Sequence, residues 1–132
     1  MKAFSVLLAV KSKSHNLAEI TKVLAVAPDA DCSSGPKNSV RPNWLLTPTK
    51  GHSFSERTRQ LLRMLPSDFA SRLARLRGAR GVLSIALSSD EEEPVIFTVP
   101  KWLLRDVANL RLNLEIRVIP IGIWRKDNYF ST

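Results

Sequence analysis

The sequence LNLEIRV at residues 112–118 decides the fold class, because apolar and polar side chains alternate along it without a break. In an extended chain, Leu112, Leu114, Ile116 and Val118 lie on one face, and the polar side chains between them lie on the other. This period of two predicts a β-strand that is buried on one face only. The other elements can be assigned outward from this strand.

Further strands are predicted towards the N-terminus from short runs that are apolar or alternating and rich in β-branched and aromatic residues. They are residues 3–10, 43–47, 82–88 and 95–98. An acidic run separates the last two of these strands, so we expect residues 82–98 to form a hairpin.

Polar N-caps and helical spacing of apolar residues predict four helices between the strands. Two begin with the spacing of a capping box, at residues 16–19 and 53–56. In such a box, an Asn or Ser and a Glu three positions later each bond the other's backbone N–H group. The third helix begins at Ser67, and the fourth begins at Pro100, where a proline loses no helical hydrogen bond. Pro28 is the predicted end of the first helix.

This mixture of strands and helices predicts an α+β protein. We expect a single-layer, largely antiparallel sheet of about five strands, with about four helices packed mainly on one face. The length of 132 residues suits one domain. We place that domain at residues 1–120 and a C-terminal tail at residues 121–132.

Short motifs along the chain have the order found in a known family. They are Phe4-Ser5, Glu19-Ile20 with Leu24, Val26 and Pro28, Trp44-Leu45-Leu46, Leu61-Leu62 with Leu65, and Leu103-Leu104 before the alternating strand at 112–118. In these motifs the chain resembles a family of small uncharacterised bacterial proteins catalogued as a domain of unknown function. That family usually has glycine where this chain has Ala25. The resemblance implies the α+β fold and, by analogy with similar small bacterial proteins, an interaction module or a toxin-neutralising immunity protein.

Cysteine usage and charge restrict the class of protein. The single Cys32 cannot form an internal disulfide, which excludes a disulfide framework of the secreted type. No apolar run has the pattern of a signal peptide or the length of a membrane span, so we expect a cytoplasmic protein. With 20 Lys and Arg against 12 Asp and Glu, the net charge is +8. Such a charge favours anionic partners, whether an acidic protein, a nucleic acid or a lipid surface.

Residues suited to catalysis or metal binding are few. The sequence lacks a Gly-x-Ser-x-Gly elbow, a glycine-rich phosphate loop and a dinucleotide fingerprint. His15 and His52 stand apart in loop-like sequence, where we expect both to be solvated, and with one cysteine they do not supply the four ligands of a closed zinc site. The acidic run at residues 90–93 lacks the spacing and the glycine of a calcium loop. We therefore predict a protein without enzyme activity, metal or cofactor.

An arginine cluster between residues 57 and 80 is the most suggestive feature for function. Arg59 and Arg63 are four residues apart, and Arg72 and Arg75 are three apart, so each pair shares a helical face. If the two helices are adjacent, these arginines form one positive surface that bonds carboxylates or phosphates. A solvated helix face, a surface for an acidic protein and a surface for nucleic acid all fit this pattern.

Two tryptophans complete the candidate interface. Trp102 lies about 100° from Leu103 around its helix, so we expect it to be half exposed, and Trp124 follows the last strand. Tryptophan beside arginine is typical of interface anchors, although both tryptophans could instead cover the edge of the core. The leading hypothesis is a non-enzymatic protein-interaction module, such as an immunity-type inhibitor. The alternative is a nucleic-acid-binding accessory protein that uses the arginine-rich helices.

Overall fold

The computed structural model describes residues 4–29, 44–89, 94 and 96–120, and its mixture of strands and helices confirms the predicted α+β class. The elements are β1 Phe4–Lys11, α1 Leu17–Leu24, β2 Trp44–Leu46, α2 Phe54–Arg63, α3 Phe69–Ala74, β3 Arg80–Ser89, α4 Lys101–Asn109 and β4 Asn113–Pro120. None of the helices described is long and apolar enough to cross a membrane. Cys32, the acidic run at 90–93 and the predicted tail at 121–132 lie outside the described residues.

The sheet has four strands in the described part of the chain, in the order β2-β1-β3-β4. β1 is antiparallel to both of its neighbours, so that Leu8 lies opposite Leu46 of β2 and Leu83 of β3. β3 and β4 are parallel, with Ile85 opposite Ile116. The sheet is mixed rather than largely antiparallel, because α4 carries the chain across to a parallel neighbour. It has four strands among the described residues rather than about five.

The predicted hairpin at residues 82–98 is wrong over the residues that the structure describes. β3 pairs with β1 on one edge and with β4 on the other, so neither edge is left for a returning strand. Residues 96–100 instead form no strand and lead through Pro100 into α4. Phe97 packs edge-on against Phe54 of α2, with ring centroids 5.1 Å apart and ring planes at 88°. The aromatic residue that suggested a strand thus packs against a helix.

One hydrophobic cluster joins the sheet to all four helices. Alternate residues of β1 and β3 form its sheet side, and each helix contributes a fully buried side chain: Ile20, Leu61, Phe69 and Leu103. Trp44 is also fully buried. Burial of apolar surface is worth about 25 cal/mol per Å², so this cluster is the main source of the folding free energy. The helices share one face of the sheet because they share this cluster.

Capping boxes determine where the first two helices begin. Glu19 N–H donates to Asn16 Oδ1 at 2.9 Å and Asn16 N–H donates to Glu19 Oε1 at 3.4 Å, which confirms the first predicted box. At α2, Glu56 N–H donates to Ser53 Oγ at 3.1 Å, as expected. The Glu56 carboxylate accepts from His52 N–H at 2.8 Å, and hydrogen bonds from the His52 and Ser53 backbones both act to lower its pKa. On this side the second box therefore reaches one residue further back than predicted.

The first helix ends earlier than its proline predicts. α1 stops at Leu24 because Ala25 adopts the left-handed conformation, with φ 58° and ψ 32°. Its N–H donates to the Thr21 carbonyl at 2.9 Å, which is the bond of the left-handed C-cap motif. Pro28 therefore lies beyond the helix end instead of causing it.

Candidate binding groove between α2 and α4

α2 has a buried face and an arginine-bearing face. Thr58 and Leu61 are buried and fix the orientation of the helix on the core. Arg59 and Arg63 are exposed, and their four-residue spacing places them on a common flank. The helical period thus brings two guanidinium groups to the same side of α2.

α4 presents a matching flank to α2. Leu103 and Val107 are buried, whereas Trp102 and Asp106, also four residues apart, are half-buried. The guanidinium carbon of Arg59 lies 4.5 Å from the centroid of a Trp102 ring. The negative face of the indole attracts a cation in this position by about 0.5–1 kcal/mol at an exposed site. Trp102 has the half-exposed position expected from the sequence. Its contact with Arg59 orients the Arg59 side chain.

The two flanks enclose an open groove of about 500 Å³. Arg59, Arg63 and Asp106 supply its charged groups, and Trp102 is its aromatic group. The other residues of the lining are Leu62, Leu65, Pro66, Ser67, Asn109 and Leu110. The groove thus combines an apolar lining with a few charged groups, which is the usual composition of a ligand site.

Both arginines of the groove are available to a ligand. In the part of the chain that the structure describes, neither Arg59 nor Arg63 forms an ion pair. Stacking on Trp102 uses the face of the Arg59 guanidinium and leaves its in-plane N–H groups able to donate. An arginine in this state can donate two parallel hydrogen bonds to a carboxylate or a phosphate.

Arg72 has a different environment, at the junction of α1 and α3. Its Nε donates to Asp68 Oδ1 at 2.9 Å, and its Nη1 donates to the Val23 carbonyl of α1 at 3.3 Å. The hydrogen bond from Arg72 holds the pKa of the Asp68 carboxyl below its usual range. Asp68, rather than the predicted Ser67, is the N-cap residue of α3. Arg72 therefore connects two helices.

The predicted interface residues separate into groups. Those of α2 and α4 meet at the groove, whereas Arg72 and Arg75 lie on α3 and do not line it. Arg75 is exposed. Trp124 lies outside the described residues. The arginines of α2 and α3 are thus in two separate settings.

Sequence reasoning missed Asp106 and the apolar lining of the groove. Asp106 follows Trp102 by four residues, and this spacing alone could have placed both side chains on one flank. Leu62, Leu65 and Leu110 have the spacing of ordinary core residues. They become part of a site only because α2 and α4 leave a gap between them.

The described histidines take part in local structure. Ser12 Oγ and His15 Nδ1 are 2.8 Å apart, and His15 is half-buried, whereas His52 is exposed as expected. Among the residues with described positions, no three His, Cys, Asp or Glu side chains gather as metal ligands would.

Comparisons with known proteins give no match from which a function could be inferred. No protein-family model matches the chain, and neither a curated protein nor a solved structure matches it. The family resemblance in the sequence stays a prediction.

Proposed function

We propose that the protein is a non-enzymatic interaction module that binds an acidic segment of a partner protein in the groove between α2 and α4. The observation that carries this proposal is the Arg59–Trp102 contact, which holds an arginine without an ion pair at the edge of an apolar groove. Arg63 adds a second cation one helical turn away. Immunity-type inhibition of a toxin, which the family resemblance implies, is one role that such a module would fill.

Charge complementarity supports an acidic occupant. The net charge of +8 attracts anionic partners over distances of about a Debye length, roughly 8 Å at physiological salt. At contact, Arg59 and Arg63 donate charged hydrogen bonds to carboxylates. The long-range attraction and the local bonding thus favour the same class of partner.

The apolar lining favours a protein segment over a nucleic acid. Leu62, Leu65 and Leu110 offer burial to an apolar side chain that neighbours the acidic one. Proteins that bind single strands stack bases on exposed aromatic faces, whereas Arg59 already stacks on Trp102.

The chemistry of the lining supports binding rather than catalysis. Among the described lining residues, Asp106 is the only carboxylate, and neither an imidazole nor a thiol is present. Among the described residues, the Ser67 hydroxyl forms no side-chain hydrogen bond to a base that could activate it as a nucleophile.

The test compares two double variants that lower the net charge equally. Arg59→Glu with Arg63→Glu reverses the cations of the groove. Arg75→Glu with Arg77→Glu is the matched control, because both residues are exposed and lie outside the lining. A fluorescein-labelled peptide of alternating glutamate and leucine is titrated by fluorescence polarisation. We expect the groove variant to bind at least about tenfold more weakly, since a charged hydrogen bond contributes about 1.5–3 kcal/mol, and the control to bind like the wild type.

Two results would contradict the proposal. Equal weakening in both double variants would show that total charge drives binding, without a role for the groove. Tighter binding to a single-stranded oligonucleotide, with an affinity that falls steeply with salt, would favour the nucleic-acid alternative. Thermal unfolding followed by circular dichroism verifies that both variants keep the wild-type fold.

A further inference from the structure

Among the described residues, β4 is an edge strand of the sheet. β3 pairs along one side of it, and no strand among the described residues pairs along the other. Such an edge is a template for pairing with a strand of another chain, and natural proteins usually block it with charges, bulges or a covering element. The surroundings of β4 show whether this edge is blocked.

Large apolar side chains are exposed along this edge. Ile116 is 42% exposed and Val118 is 52% exposed, although both lie on the face of the sheet that carries the core. The hydrophobic layer therefore extends to the edge of the sheet without being covered there.

The sequence of β4 is complementary to itself in one antiparallel register. With Ile116 on a two-fold axis, Ile116 lies opposite its own copy, Leu114 opposite Val118, and Glu115 opposite Arg117. An axis at Glu115 or at Arg117 would place like charges opposite each other, which destabilises strand pairing. In the register centred on Ile116, each apolar side chain named here lies opposite an apolar one, and each glutamate lies opposite an arginine.

The charged side chains of β4 are placed to support this register. Arg117 Nε donates to Glu115 Oε1 at 2.7 Å within the strand, and the two side chains remain 60% and 37% exposed. Ser84 Oγ lies 3.2 Å from the same carboxylate oxygen and helps to orient it. In a pair of copies, each Glu115 accepts from the Arg117 of its own strand and lies opposite that of the partner.

We propose that two copies of this chain pair through β4, antiparallel, with Ile116 on the two-fold axis. The contact is isologous, so the same strand serves on both sides. Directly opposite residues of an antiparallel pair point to the same face, so the two sheets join with both helix layers on one side. Ile116 and Val118 then become covered. This dimer is independent of the groove, because no residue of β4 lines it.

The mass of the full chain in solution tests the dimer. Sedimentation velocity over a concentration series should give the mass of two copies. Ile116→Lys places two ammonium groups on the axis and should shift the protein to the monomer. Ile96→Lys is the matched control, because Ile96 is 79% exposed and lies outside β4, and it should remain dimeric.

A charge exchange tests the register. Arg117→Glu places a glutamate opposite Glu115 twice in the dimer and should raise its dissociation constant roughly tenfold. Adding Glu115→Arg to that variant restores opposite charges across the axis, and the dissociation constant should return to the wild-type value. A wild-type chain that is monomeric at every concentration, or a dimer that tolerates Ile116→Lys, would overturn the proposal. Failure of the exchanged pair to recover would overturn the register.

Discussion

Arg59 and Arg72 come from the same arginine-rich stretch but occupy opposite environments. Arg59 stacks on Trp102 and has no ion pair among the described residues, whereas Arg72 donates to Asp68 and to the Val23 carbonyl. The neighbours of each helix cause the difference. α3 packs on α1, whose last turn has carbonyls without helical donors, while α2 faces an aromatic residue across a groove. An arginine cluster in a sequence therefore mixes residues that hold the fold with residues that are available for binding.

Removing Arg72 should cost more stability than removing its exposed neighbour Arg75. Arg72→Ala leaves the Val23 carbonyl without its donor, so we expect the free energy of unfolding to fall by about 1–2 kcal/mol. The ion pair with Asp68, which is exposed, adds little to this loss. Arg75→Ala is the matched control and should change it by less than about 0.5 kcal/mol. Urea unfolding at pH 7 measures both. Equal losses of stability in the two variants would show that Arg72 stabilises the fold no more than an exposed arginine does.

Binding should separate the two arginines in the opposite sense. Arg59→Ala should leave the unfolding midpoint close to that of the wild type and weaken binding of the acidic peptide. Arg72→Ala should bind that peptide like the wild type at a temperature where it is folded. A variant that loses both stability and peptide binding would show that the groove and the α1–α3 junction form one unit.

Local signals in the sequence predicted most elements and part of the site. The capping box at residues 16–19 and the alternation at 112–118 depend on neighbours within a few positions. The hairpin at 82–98 was wrong because strand pairing depends on which edges are already occupied, and distant segments fill both edges of β3.

The same limit applies to the arginines. The spacing of Arg59 and Arg63 places them on one flank, which is a local property of a helix. Contact with Trp102 depends on how α2 and α4 pack, and the bond from Arg72 to Val23 depends on how α3 meets α1. Both are tertiary relations between segments far apart in the chain. The sequence therefore made Arg72 and Arg59 look equivalent.

The buried face of α2 can be changed without touching Arg59. Thr58 is fully buried, and its hydroxyl has no hydrogen-bond partner among the described residues. Thr58→Val removes this unsatisfied group at nearly constant shape and should stabilise the protein by about 1 kcal/mol, with peptide binding unchanged. Thr58→Ser keeps the hydroxyl but loses a methyl group, so it should destabilise. Unfolding in urea checks both signs, and a destabilised Thr58→Val variant would indicate a bonded hydroxyl.

The end of α1 near Arg72 holds a strained residue. Ala25 has φ 58°, a conformation that costs a residue with a Cβ roughly 1–2 kcal/mol and that glycine adopts readily. Ala25→Gly should stabilise the protein by about 0.5 kcal/mol, after the greater freedom of glycine in the unfolded chain is subtracted. Ala18→Gly within the same helix is the control and should destabilise by about 1 kcal/mol. Opposite signs in the two variants identify the helix end, whereas a loss in both would mean that α1 continues through Ala25.

The smallest expected effect is a dependence of the α1–α3 junction on pH. The hydrogen bond from Arg72 lowers the pKa of Asp68 below its ordinary value of 3.8. A carboxyl with a lowered folded pKa contributes its stability fully above the unfolded pKa and loses it as the pH falls through the folded pKa. The difference in stability between the wild type and Asp68→Asn should therefore stay constant from pH 7 to about pH 5. It should disappear as the pH falls below 3.8. Urea midpoints at successive pH values measure that difference. A difference that stays unchanged in acid would show that the charge of Asp68, and with it the ion pair to Arg72, does not contribute to stability.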